Sequence, residues 1–158
     1  MLNVIISTTA IAVLIVFFPI KNTKITGIAF YCYLLAVLSL TLLTREDATY
    51  GQANLIPLER VVFWMKRYYQ TYGLGRMFTP LFGFYLNILL FVPFGFLLHL
   101  PPRETIILGF LFSLAIEISQ LISGLGMFET DDLITNTLGT WIGILAYRRR
   151  INKNDSLR

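Results

Sequence analysis

Glu117 and Gln120 stand three residues apart in a run that is otherwise apolar, and Glu129, Asp131 and Asp132 crowd the turn that follows, ahead of Asn136. A charged side chain at bilayer depth costs about 3 kcal/mol or more on insertion scales, so an acid in such a run calls for a function or a partner. The chemistry open to it is to hold a cationic or hydrogen-bonding headgroup, to relay a proton, or to act as a general base. Gln, Asn and Asp neighbours supply neither the Ser–His nor the Cys–His pairing that activates a nucleophile. A carboxylate pair, Glu117 with Asp132, is another arrangement open to these residues. A purely structural role, as a hydrogen-bonded link between helices, competes with all of these. For Asp131 and Asp132, so does capping of a helix N-terminus.

The elements that must position these residues are apolar. The chain of 158 residues is 56% hydrophobic and 14% charged, against about 25% charged in an ordinary soluble domain. Apolar side chains all round a helix suit lipid better than water. Cys32 is the only cysteine and His99 the only histidine, so no intrachain disulfide can form, and neither a metal site nor a cofactor is expected.

The expected architecture is an all-α integral membrane protein with five transmembrane helices, near residues 2–20, 25–43, 81–100, 105–125 and 133–147. Each approaches the length needed to cross a hydrocarbon core of about 30 Å. The first is read as a retained helix because no basic residue precedes it and no small-x-small cleavage pattern follows. The segment from Arg45 to Pro80 is too polar to span. Within it residues 57–72 have helical periodicity, with Leu58, Val61, Val62, Met65, Tyr69 and Tyr72 on one face and Glu59, Arg60, Lys66, Arg67 and Gln70 on the other. Trp64, Tyr68, Tyr69 and Tyr72 favour the headgroup zone, which predicts an interfacial amphipathic helix. Its Arg60 and Lys66 are candidates to hold a lipid phosphate, or simply anchors to anionic headgroups. Pro93 lies mid-helix and predicts a kink. One transmembrane domain over residues 1–150 and a loose basic tail, 151–158, complete the division.

Arg148, Arg149, Arg150 and Lys153 follow the last helix directly, which predicts a cytoplasmic C-terminus. The acidic turn then falls outside, as does the long loop, although that loop carries five arginines and lysines against the positive-inside rule. Ser113, Glu117, Gln120 and Gly124 follow i, i+4, i+7, i+11, and Asp132, Asn136, Gly139 and Gly143 repeat that spacing. Each set makes one helix face. Gly139 and Gly143 form a GxxxG pair that permits close helix contact, and the two faces are expected to pack on each other with Glu117 near Asn136. Asn87, near the outer start of the third helix, is a third contributor.

The sequence resembles the VanZ-like family of membrane proteins, named for a teicoplanin-resistance protein. The resemblance rests on Asn54-Leu55-Ile56-Pro57, on Asn87-Ile88-Leu89-Leu90-Phe91-Val92-Pro93-Phe94-Gly95, on Glu117-Ile118-Ser119-Gln120, and on Asp132-Leu133-Ile134-Thr135-Asn136-Thr137-Leu138-Gly139 with Gly143. Many members carry an arginine just before the acidic turn, where Gly126 and Met127 stand here. The resemblance implies a multi-pass protein of the bacterial cytoplasmic membrane that lowers susceptibility to teicoplanin-type glycopeptides. The expected ligands are membrane lipids or a lipid-linked cell-wall precursor, with a lipoglycopeptide as a further class. No nucleic acid is expected, and a homodimer is left open. Glu117, Gln120, Asn136, Asp132, Asn87, Arg60 and Lys66 are the candidate ligand-binding residues. The alternatives are an intramembrane enzyme that modifies a lipid-linked envelope precursor and a proton-coupled transporter.

Overall fold

A computed structural model describes residues 23–43 and 52–155. The expected first helix, residues 2–20, lies outside the described residues. The described chain runs α1 (Thr23–Leu38), a π-helical turn (Ser39–Leu43), β1 (Ala53–Asn54), α2 (Glu59–Tyr72), a 3₁₀ turn (Leu74–Arg76), α3 (Leu81–Leu97), α4 (Pro102–Ser123), β2 (Phe128–Glu129) and α5 (Thr130–Asp155). Three of these stretches, Lys24–Thr41, Leu74–Leu97 and Pro102–Ser123, are long and apolar enough to cross a membrane by length and composition. The helix over residues 133–147 does form, but within the longer and more polar α5, which falls outside that set. Among the described residues three candidate crossings stand, and the expected count of five is not confirmed by them.

Local sequence accounts for the boundaries. Pro101 precedes α4 and Pro102 opens it, where a missing N–H costs nothing. Gly124 closes it at φ 70°, a left-handed conformation that only glycine adopts freely, with its N–H on Gln120 O. Asp131 and Asp132 fall in the first turn of α5 and complement its dipole. The helix runs on through Arg148–Arg150 to Asp155, so much of the expected loose tail is helical. Pro93 cannot donate to Leu89 O, and the next carbonyl, Leu90 O, accepts the Tyr33 hydroxyl at 2.7 Å from α1.

Packing is set by small residues. The most extensive interface is α3 against α5, followed by α4 against α5. A Cβ on Gly139 would overlap Ile88 O, one on Gly143 would overlap Val92 O, and one on Gly95 would overlap Thr140 O. The GxxxG pair thus lets α5 approach α3, not α4 as the sequence spacing suggests. The α4 contact is made one face round, where Gly109 receives the Thr140 side chain. Tyr33, Val37, Phe91, Phe94 and Ile116 form the apolar core between α1, α3 and α4, with Phe94 stacked on Phe112 at 5.6 Å. Outward, α1, α3 and α4 expose Ile28, Leu35, Tyr85, Leu111 and Ile122, as lipid-facing helices should.

Candidate functional site

The site forms where the α4–α5 turn meets the segment ahead of α2. Ala53 pairs with Phe128 and Asn54 with Glu129 in a two-residue parallel ladder, and Phe128 N–H donates to Gln52 O at 3.1 Å. Asn54 Oδ1 turns the chain by accepting from Ile56 N–H. Leu58 then takes φ 66°, an uncommon conformation for a residue with a side chain. Its N–H is held at 2.8 Å by Asp131 Oδ1, a buried carboxylate at the start of α5. Arg60, two residues on, forms an ion pair with Glu129, and the same guanidinium nitrogen lies 3.6 Å from Met127 Sδ. The strand pair, the Asp131 bond and the ion pair together clamp the α2 entry to the acidic turn.

Behind this clamp lie the polar residues of the helices. Glu117 is 1% exposed, and its Oε2 accepts from Glu129 N–H at 2.8 Å. Gln120, also 1% exposed, donates from Nε2 to Thr41 O at 2.9 Å. That carbonyl belongs to the π-helical turn of α1, a local irregularity of a kind that occurs often at functional positions. Asn136 Nδ2 donates to Ser113 Oγ at 2.8 Å, four residues before Glu117 on the same face of α4. Asn87 Nδ2 donates to Asp132 Oδ1 at 2.7 Å and ties α3 to the start of α5. Two buried amide oxygens, Gln120 Oε1 and Asn136 Oδ1, have no hydrogen-bond partner. An unsatisfied buried acceptor costs about 1–3 kcal/mol.

The structure therefore gathers Glu117, Gln120, Asn136, Asp132 and Asn87 on α3, α4 and α5. Arg60 joins them at the rim, engaged with Glu129. Lys66 stands apart. It lines an open groove of about 430 Å³ with Ile56, Pro57, Leu58, Glu59, Val62 and Phe63, alongside α2. No residue of α2 is buried, and its half-buried apolar residues are Val61, Met65 and Tyr68, whereas Val62, Tyr69 and Tyr72 are exposed. Pro57 sits in the turn before α2, not in its first turn.

Ser113, Thr41, Asp131 and Glu129 complete the network and were not singled out as site residues by sequence. Ser113 shares the face of Glu117, and that spacing was its one available signal. Thr41 acts through its carbonyl, which no side-chain pattern announces. No group of three or more His, Cys, Asp or Glu side chains that could hold a metal ion occurs among the described residues.

Apolar helices of bilayer length, closed on one another through glycines and joined by a buried polar node, define a multi-helix membrane protein. The chain belongs to the VanZ/LLP1 family, which it matches over residues 30–152. It is 38% identical over 69 residues to Protein VanZ of Enterococcus faecium, a stretch covering 39% of this chain and 41% of that protein. The match thus spans less than half the length of that relative. No solved structure matches the chain.

Proposed function

We propose that this is a non-enzymatic protein of the bacterial cytoplasmic membrane that binds a lipid or lipid-linked molecule on the outer side and so lowers susceptibility to teicoplanin-type glycopeptides. The observation that carries the reading is the convergence of Asn87, Glu117, Gln120, Asp132 and Asn136 from three helices on one end of the bundle. Membrane proteins keep polar groups at such depth for binding, transport or helix association. The arginines at Arg148–Arg150 lie at the far end of α5. With that end cytoplasmic, the polar node and the clamp face outward, on the side where a glycopeptide acts. Asn87, Glu117, Gln120, Asp132 and Asn136 offer the ligand hydrogen bonds, Arg60 stands at the rim, and Lys66 on its apolar groove suits an anionic headgroup.

The test is a teicoplanin susceptibility measurement on cells expressing Glu117→Gln or Asn136→Ala at membrane abundance matched to the unaltered protein. Both variants are expected to return susceptibility to that of cells lacking the protein and to weaken lipid retention on purification. Full resistance and full lipid retention in both would remove these residues from the site.

A further inference from the structure

The apolar face of α2 is broader than the contact it makes. Val61, Met65 and Tyr68, spaced i, i+4, i+7, form one stripe and are half-buried. Val62, Tyr69 and Tyr72, spaced i, i+7, i+10, form the adjoining stripe and are exposed. Leu55, Ile56 and Leu58, just ahead of the helix, are exposed as well. Contiguous apolar surface of this kind marks a place where something docks. Ile56, Leu58, Val62 and Phe63 wall the open groove of about 430 Å³, and Lys66 stands at its edge.

The neighbours of this patch indicate what covers it. Beyond α2 the exposed apolar side chains continue through Leu74 and Phe78 to Phe82 and Tyr85. These belong to the stretch Leu74–Leu97, which is long and apolar enough to cross a membrane. At its other end α2 is clamped to the turn between α4 and α5. The helix therefore stands at the rim of the apolar bundle, where headgroups begin. Its charge complements an anionic leaflet. Arg60 is paired with Glu129, whereas among the described residues Lys66 and Arg67 form no ion pair, and Glu59 is the one acid of α2. Trp64, Tyr68 and Tyr72 pack in succession with ring centroids 6.4 Å and 5.6 Å apart, and Arg76 lies over Tyr72 at 5.3 Å. Amphipathic aromatics favour the headgroup level.

We propose that the α2 groove docks an anionic phospholipid of the surrounding leaflet, with an acyl chain against Ile56, Leu58, Val62 and Phe63 and the phosphate on Lys66. A lysine at the edge of an apolar wall lays its stem along that wall and keeps its ammonium at headgroup height. Arg60, a candidate for the same task by sequence, is engaged in the clamp. A protein partner would have to displace lipid, because the patch continues onto the exposed side of α3. The inference rests on the functional reading above for a lipid ligand, and it deepens that reading by naming the class of lipid and its seat.

The test uses the full chain in phosphatidylcholine vesicles with increasing phosphatidylglycerol, one lipid or the other brominated on its acyl chains. Phe63→Trp with Trp64→Phe and Trp141→Phe leaves a single tryptophan, in the groove. Quenching of its fluorescence by each brominated lipid gives their relative association. A preference of about fivefold for phosphatidylglycerol is expected, the factor that one lysine near an anionic surface contributes. Lys66→Gln should abolish the preference and Lys66→Arg should keep it. Equal association of the two lipids with Lys66 present overturns the proposal. So does a tryptophan that neither lipid quenches, the result expected if a second copy or another protein covers the groove. Native mass spectrometry needs no tryptophan replacement. It should show phosphatidylglycerol retained over phosphatidylcholine by the unaltered protein, and equal retention overturns the proposal too. A preference that depends on Lys66, alongside full resistance in Glu117→Gln and Asn136→Ala, would sink the functional reading and leave the groove standing. Lost resistance in those variants without any lipid preference would do the reverse.

Discussion

Asn136 donates to Ser113 Oγ while its own carbonyl oxygen goes without a partner, so the amide is held by one bond. Ser113→Ala leaves Asn136 Nδ2 buried without an acceptor and is expected to lower unfolding stability by about 1 kcal/mol, as helix–helix hydrogen bonds in membranes do. Combining it with Asn136→Leu removes donor and orphan acceptor together, and most of the loss should be regained, measured by thermal unfolding in detergent. At the opposite end, His99 stacks on Tyr147 at 4.4 Å. Burial first, and then the nearby Arg150 charge, hold its imidazole below the ordinary value of 6.5. The unfolded chain protonates His99 first, so its contribution to stability is present above that ordinary value and is lost as pH falls below it. An NMR titration of His99 should give a midpoint under 6.5, and Arg150→Gln should raise that midpoint only partway, because the burial contribution remains.

Between elements, glycine decides which surfaces meet. A methyl group at Gly95 has no room against the Thr140 backbone, while one at Gly83, on the same helix, meets nothing within 4 Å. Gly95→Ala is expected to cost about 1–3 kcal/mol or to part α3 from α5. Gly83→Ala should be neutral or stabilise by about 0.5–1 kcal/mol through the backbone alone. Membrane yield and melting temperature of the two variants give the comparison. The sequence marked Gly139 and Gly143 as a contact face through their spacing, yet it paired them with the wrong helix. Spacing defines a face, but which neighbour fills that face depends on the rotation of α5, and Ile88 and Val92 lie where that rotation points.

Across the whole molecule, the clamp joins α2 to the bundle through few contacts. Asp131 is 4% exposed and holds the Leu58 N–H, whereas the side chains of the Arg60–Glu129 pair are 40% and 17% exposed. A partly solvated ion pair contributes about 0–1 kcal/mol, while a buried amide stripped of its acceptor costs about 1–3 kcal/mol. Hydrogen exchange over residues 52–60 should therefore quicken more in Asp131→Ala than in Arg60→Gln. Equal acceleration would mean that the ion pair carries the clamp.

The membrane class followed from sequence alone, because an apolar run of bilayer length has few other uses and the 3.6-residue period of Ser113, Glu117 and Gln120 survives in any packing of α4. Helix ends were legible at Pro101, Gly124 and Asp131–Asp132, where one residue's backbone chemistry sets the boundary. The family was legible too, since its motifs hold position in the chain. Three things needed the tertiary structure. The ladder between residues 53–54 and 128–129 pairs segments far apart in sequence and short enough to leave no periodic trace. The partner of the α5 glycines depends on helix rotation. The Ser113–Asn136 bond and the Gly109–Thr140 contact depend on a register that is fixed only once α4 and α5 have met.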